Sequence, residues 1–336
     1  MLPFDLERHR IRNLRDQFII TIDTTKNTDA TNKTVSIVVY YQASDSSIYV
    51  DWGDGITERF QGVTPTHTYL SSGVYNISVM LIRGVKPQKF TYQNATPTPI
   101  SLQLTDSTMS SYSITNQVNL QHLFISPNSK IDELKLFYNP ILNSGNFNSW
   151  DLSNVTTLGN DGAYSGVLQG CTNFNQPIDK WNVSNVTQMF GTFWDCKAFN
   201  QPLNNWNVSN VFTMYGMLLG CTNFNQPLDK WDVSNVLNMA VLFNGALAFN
   251  QDISMWNFNK NVVLERFMNG KSSTNYNKEY YDSLLQKLSQ RLVGTGRTQT
   301  DKRLGMGAIK YTSVGKPYRD ILVSDGWVIT DGGITT

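Results

Sequence analysis

The sequence predicts a mixed β and α/β chain in three parts: a small β-sandwich, a solenoid of 25-residue repeats, and a closing cap of helix and strand. Three observations carry this. Trp181, Trp206, Trp231 and Trp256 stand 25 residues apart; Phe174, Phe199, Phe224 and Phe249 keep the same step, as do Met189, Met214 and Met239. Ahead of them, short β-branched and aromatic runs alternate with polar turns. Behind them, leucines recur at helical spacing.

The repeats come first because a period between about 20 and 50 residues marks an array of stacked units. One unit is too small to bury its own apolar face, so neighbours must share a continuous core. An earlier copy begins at Trp150 and reaches Trp181 after 31 residues, which places a six-residue insertion within 159–165. The last copy carries Asn261 where Val236 stands, followed by charged Glu265 and Arg266, as expected of a terminal unit. Within a copy, Trp181 and Val183 have strand spacing. Val186, Met189, Phe190 and Phe193 have helical spacing, and "FNQP" reads as a turn. Each rung is therefore expected to hold a short strand, a short helix and a turn. Its strands would stack about 4.8 Å apart. Ser and Asn of "VSNV" are expected to form side-chain ladders or to cap turns. Cys171, Cys196 and Cys221 share the register with Ala246, which makes them small buried groups rather than disulfide partners or metal ligands. The N-x-[ST] matches follow from the repeat itself.

The runs "FIITID", "TVSIVVYY", "SIYVDWGDG" and "GVYNISVML" predict the sandwich over 17–85. Trp52 suits its core, Gly53 and Gly55 a tight turn, and Tyr69 and Tyr75 buried rings with polar ends. Asp51 and Asp54 are expected to bond the amides of their own turn, with calcium binding as the alternative. His67 reads as a structural hydrogen-bonding residue. Residues 86–275 form the solenoid, with clear repeats from about 147 and degenerate rungs before that. In the cap, 276–336, "NKEYYDSLLQKLSQRL" puts Tyr281, Leu284, Leu285, Leu288 and Leu292 on one helix face. "GAIKYT" reads as strand, "VGKPYRDILVSDG" as helix and "WVITDGG" as a final strand.

The copies over Trp150–Gly270 read as "FNQ-[PD]-[LI]-xx-W-[DN]-V-S-N-V-xx-M". This resembles the leucine-rich-repeat-like solenoid of BspA-like surface proteins and mycoplasma-type lipoproteins, and the terminal "WVITDG" resembles their closing segment. "VDWGDG" (50–55), "PTHTY" (65–69) and "SGVYNISV" (72–79) resemble the polycystic-kidney-disease-type (PKD) domain, an immunoglobulin-like sandwich. The repeat resemblance implies a surface protein, and PKD-type modules also accompany carbohydrate enzymes.

Composition bounds the function. Charged residues make up 16% of the chain, against about 25% in typical domains, and the net charge is +1, which argues against a nucleic-acid footprint. The longest apolar runs, such as "IVVYY", fall far short of the roughly 20 residues that span a bilayer, so no membrane insertion is expected. The opening "MLPFDLERHRIRNLRDQF" has basic residues but no following apolar stretch, so it does not read as a secretory signal. That observation leads to an exposed component of a bacteriophage virion: a head fibre, decoration or tail-associated protein binding a host-surface protein or glycan. A bacterial surface adhesin lacking its export signal is the alternative. Residues 1–16 then read as an attachment arm, with Phe4, Ile11 and Leu14 on one helix face flanked by Arg8 and Arg12. Its partner would be another virion protein or the chain's own sandwich, and a homo-oligomer is a further option.

No GxSxG, HExxH or phosphate-binding glycine loop occurs, and no cofactor is implied. Asp179, Asp229, Asp232 and Glu265 keep a polysaccharide depolymerase open as a third reading, although acids at repeat positions are expected to be solvated. The positions that vary between copies are those the shared core does not dictate. They single out Phe190, Trp194, Phe212 and Tyr215 as a candidate aromatic patch for a protein or a glycan, with burial between rungs as the competing expectation.

Overall fold

The structure, a computed structural model, describes residues 17–26, 34–36, 39–41, 47–61, 63, 65–81, 87–93, 99–104, 111–117, 119–127, 129–160, 162, 165–296 and 301–335. The attachment-arm residues Phe4, Arg8, Ile11, Arg12 and Leu14 lie outside them. The chain divides into two compact units, 1–154 and 155–336.

The first unit is all β. Its strands are β1 (Gln17–Asp23), β2 (Thr34–Ser36), β3 (Val39–Tyr41), β4 (Ser47–Asp51), β5 (Thr57–Gln61), β6 (Thr66–Thr68), β7 (Val74–Leu81), β8 (Pro87–Gln93), β9 (Pro99–Leu104), β10 (Ser111–Thr115), β11 (His122–Ile125), β12 (Glu133–Lys135) and β13 (Ser144–Gly145). A seven-stranded sheet runs β13-β11-β9-β1-β7-β4-β5, a four-stranded sheet runs β12-β10-β8-β3, and β2 pairs with β6. Strands β5 to β1 and on to β9 pair antiparallel. From β9 the pairing turns parallel, in steps of 21 and 22 residues (Ser101 to His122, then to Ser144). The β8-β10-β12 ladder does the same (Lys89 to Ser111, then to Glu133). Parallel strands at a near-constant step are rungs, so the irregular segment after 85 already coils, and β1 joins it to the earlier strands in one sheet. Ile20, Ile22, Val50, Ile77, Val79, Leu102, Leu104, Leu123 and Ile125 alternate into the buried face.

The "VDWGDG" turn is held as its residue types require. Asp51 Oδ1 accepts from Gly53 N at 3.0 Å and Asp54 Oδ1 from Ile56 N at 3.2 Å, so both carboxylates serve their own turn. Gly53 has φ +79°, and a Cβ there would lie 2.5 Å from Asn76 O, so no other residue fits. Trp52 is fully buried, stacks on His67 at 4.9 Å and donates to Glu58 Oε2 at 2.8 Å. His67 Nε2 meets Asp54 Oδ2 at 2.8 Å, and the Tyr69 hydroxyl donates to Trp52 O at 2.8 Å.

The second unit holds the 25-residue copies. Gln188, Thr213, Asn238 and Val263 form successive parallel bridges. Around them the main chain bonds from copy to copy: Met189, Gly191, Phe193 and Asp195 N–H donate to the carbonyls of Thr213, Tyr215, Met217 and Leu219 at 2.8–3.0 Å. The next copy repeats this with Met214, Gly216, Leu218 and Gly220. This overturns the expected helix. Alternate N–H groups point to the next rung, not four residues back, and the three-residue spacing belongs to consecutive turns such as Trp194 N to Gly191 O and Cys196 N to Phe193 O. The strand-like segment is also displaced, from Trp181–Val183 to β16 (Gln188–Met189) and its equivalents. The six-residue insertion becomes an antiparallel pair, β14 (Thr157–Asn160) with β15 (Ser165–Gly166).

Side chains stack in columns. Phe174, Phe199, Phe224 and Phe249 lie 5.9–6.2 Å apart, ring to ring, and Trp181–Trp206 and Trp231–Trp256 at 6.1 and 6.2 Å. Each buried indole also donates to a carbonyl of the previous copy: Trp206 to Ile178, Trp231 to Leu203, Trp256 to Leu228, at 2.8–3.1 Å. Asn175, Asn200 and Asn225 of "FNQP" accept the main-chain N–H of the asparagine one copy on, at 2.8–2.9 Å. Asn210 and Asn235 reach back to Ser184 O and Ser209 O at 2.7 Å, the ladder expected of "VSN". The three cysteines are free and fully buried. Cys196 and Cys221 Sγ donate to Leu168 O and Phe193 O, and burial pushes both thiols up, out of the reactive range.

The cap continues the asparagine column into a helix. Asn250 Oδ1 accepts from Asn277 N at 2.7 Å, and Asn277 Oδ1 caps α1 (Lys278–Leu292) through Glu279 N at 2.8 Å. Its expected face, Tyr281, Leu284, Leu285, Leu288 and Leu292, is buried. β17 (Arg303–Gly305), which the sequence did not mark, pairs in parallel with β18 (Val328–Thr330); α2 (Lys316–Ser324) lies between them in the chain. "GAIKYT" forms only isolated bridges, from Ala308 and Tyr311. Lys271 takes the fifth place in the cysteine column. It is 1% exposed, its Nζ donates to Ala246 O and Leu247 O at 2.9 Å, and burial lowers its pKa from 10.5 to about 8.

Two outcomes follow from this packing. Trp206→Ala is expected to cost about 3–5 kcal/mol and Trp194→Ala no more than about 1 kcal/mol, measured by denaturant melts; equal losses would contradict the column. Lys271 is expected to make the fold more stable as pH rises from about 8 to 10.5. In that window the unfolded chain holds the extra proton, so raising pH favours the fold, by up to about 3 kcal/mol. Lys271→Met should abolish that rise, and an unchanged slope in the variant would exclude the assignment.

Candidate functional site

The residues that vary between copies sit where the ladder does not need them. Positions 190, 215, 240 and 265 hold Phe, Tyr, Ala and Glu; positions 194, 219, 244 and 269 hold Trp, Leu, Asn and Asn. Between them runs a column in the left-handed region: Gly191, Gly216, Val241 and Arg266, with φ from +51° to +57°.

The four aromatic candidates do not act alike. Phe190 is buried, and its ring stacks on Tyr215 at 4.8 Å and 6°. It tucks between rungs and offers no contact surface; its part is to support the half-buried Tyr215. Trp194 is half-buried against Gly191, where a Cβ would touch its ring at 3.4 Å. Phe212 lies in another column. It is 44% exposed, Leu237 one copy on is 45% exposed, and Leu237 N donates to Phe212 O at 2.8 Å. No described ring contact joins Phe212 to the other three. Trp194 and Tyr215 are thus half-buried in two separate columns, and Phe212 with Leu237 forms a third.

Asp179 and Asp229 share one column, and Asp232 stands three residues further on. Asp229 accepts from Asn204 Nδ2 at 2.8 Å, Asp232 from Ser234 N at 3.0 Å, and Asp179 is half-buried in its own copy. Of the four, Glu265 lines a described cleft, of ≈ 290 Å³, with Arg266, Asn269, Arg303, Val328 and Thr330. Arg303 and Asn269 were not among the residues singled out from sequence. The available signal was the change from Phe190 and Gly191 to Glu265 and Arg266 at equivalent positions. Among the described residues no group of three or more His, Cys, Asp or Glu could hold a metal ion, and no helix is long and apolar enough to cross a membrane.

Against known proteins, residues 131–256 and 162–281 match the family described as Mycoplasma protein of unknown function, DUF285. The matched span covers the stacked copies and supports a BspA-like surface repeat protein. No curated protein and no solved structure matches the chain.

The split between buried and exposed aromatics has a direct check. Phe190→Ala is expected to destabilise the fold by about 3–5 kcal/mol, whereas Phe212→Ser and Leu237→Ser should stay within about 1 kcal/mol of the parent in thermal or denaturant melts. A large loss at Phe212 would place it in the core.

Proposed function

We propose that the protein is a non-enzymatic adhesin of the BspA-like kind, displayed at a bacterial cell surface. In this reading a PKD-like sandwich precedes a leucine-rich-repeat-like coil, and the varying columns of the coil meet a protein or glycan on another surface. The observation that carries it is the contrast within one copy: the core columns repeat almost unchanged, while exposed positions such as Phe212 and Leu237 change from copy to copy. Large apolar side chains kept at the surface without a packing role are a contact surface in waiting. The family match over 131–281 supports the surface setting.

Binding without catalysis is the simpler reading of the acids, two of which, Asp229 and Asp232, accept hydrogen bonds from the coil itself. A glycosidase needs two carboxyl groups flanking one bond, about 5–10 Å apart, and the described cleft is lined by one. The bacteriophage-virion placement, with the arm docking to another virion protein, rests on the opening residues alone. Labelled antibody separates the two settings: the adhesin reading expects it on intact cells of the source, and labelling confined to purified particles would replace it.

Adhesion itself is measured with the full chain on cells or immobilised host-surface extracts. The triple variant Trp194→Ala, Tyr215→Ala, Phe212→Ser should bind about tenfold more weakly or worse, since exposed aromatics dominate such contacts. Changing Asp179 and Asp229 and Asp232 to asparagine should leave adhesion to cells standing. Release of reducing sugar by the parent, lost in the amide variant, would favour the depolymerase.

A further inference from the structure

The last copy departs from its predecessors where the cap strand meets it. Leu264 bridges Leu304 in β17, and Met268 N donates to Gly305 O at 2.7 Å. Gly305 comes so close that a Cβ on it would lie 2.5 Å from Arg266 Cα and 2.9 Å from Asn269 Oδ1. Beside this contact opens the cleft described above. Its ≈ 290 Å³ is at the lower end of small-ligand pockets, about 300–1,000 Å³, and suits one ring-sized group.

Three features of its lining call for a ligand. First, it carries two guanidinium groups and one carboxylate. Glu265 Oε1 reaches Arg303 Nη1 only at 3.5 Å, with both side chains about half exposed, and the Arg266 side chain has no ion pair or hydrogen bond among the described residues. Second, Arg266 holds a left-handed backbone at the position filled by Gly191, Gly216 and Val241 in earlier copies. Val241 carries that backbone with a side chain that packs inside, 9% exposed, whereas the Arg266 side chain is exposed at the cleft. Third, the exposed Thr330 adds a hydroxyl to the same lining.

We propose that this cleft binds a uronic-acid ring of an acidic glycan. The carboxylate lies between Arg266 and Arg303, whose planar forks suit it, and ring hydroxyls meet the acceptor Glu265 and the exposed Thr330. The need for hydroxyl donors on the same small ligand favours a sugar over the side chain of an acidic peptide. Glu265 and Asn269 belong to the columns of Tyr215 and Trp194, so a glycan held here runs toward Tyr215, two rungs or about 10 Å away. The inference names a ligand class for the adhesive reading and rests on it for its biological setting, while the binding itself is tested separately.

The test is calorimetric titration of the full chain with trigalacturonate, its methyl ester and a glutamate tripeptide. Trigalacturonate should bind, more weakly as salt rises, with the ester and the peptide about tenfold weaker or worse. Arg266→Gly, which restores the residue of the earlier copies, should lower affinity about tenfold or more while melting no lower than the parent; Arg303→Gln should act in the same direction. Equal binding of acid and ester, unchanged affinity in both arginine variants, or no binding of the acid would each overturn the proposal. Peptide binding as tight as the sugar would assign the cleft to acidic protein partners instead. Unimpaired cell adhesion in the aromatic variant would remove the adhesive reading and leave the cleft's binding standing; no trigalacturonate binding, with adhesion lost in that variant, would remove the cleft proposal alone.

Discussion

Every other feature of the second unit depends on the main-chain bonds between consecutive copies. N–H groups of alternate residues from Met189 to Asp195 find carbonyls 24 residues on, and the next copies do the same. Buried amides must be paired, and here every second one finds its partner in the neighbouring copy while those between close turns within their own. A copy one residue longer or shorter would shift every donor off its acceptor at once. The 25-residue step is thus a geometric condition on the chain, and the insertion before Trp181 obeys it by folding aside as the β14–β15 pair.

The columns of rings follow from that ladder. Once the main chain fixes the spacing of rungs, side chains at equivalent positions face each other at about the separation of parallel strands. Phe174 to Phe249 stack face to face because their spacing leaves no other arrangement, and the tryptophans add a hydrogen bond from each indole to the rung behind. Polar columns work the same way. The asparagine series satisfies main-chain N–H groups that the turns leave open, and its last member, Asn277, starts the capping helix.

The period, the buried tryptophan and phenylalanine columns, the inert cysteines and the apolar face of α1 were all legible in the sequence, because each depends on a spacing that survives copying. The interior of a rung was not. Three-residue steps such as Val186, Met189 and Phe190, Phe193 arise from linked turns as readily as from a helix, and only the destination of the N–H groups separates the two. Phe190 illustrates a second limit: variation between copies marks freedom from the shared core, yet this ring is buried by stacking on Tyr215. The cleft was hidden for a third reason. It joins Arg266 to Arg303 and Val328, which no repeat relates and which meet only because β17 and β18 return to the last rung.

Because each copy touches only its two neighbours, the coil can change length without being redesigned. In-frame gain or loss of a copy between Trp206 and Trp231 leaves every bond to the remaining neighbours and to the cap in place. The near-identity of "FNQPIDKWNVSNV" and "FNQPLDKWDVSNV" makes such slippage easy for the copying machinery. Each event would move the tip of the molecule by one strand spacing, about 4.8 Å, and would bring one new set of surface side chains into the exposed columns. Reach and surface pattern are thereby open to rapid change in descendant lines, while the interior that holds them stays the same.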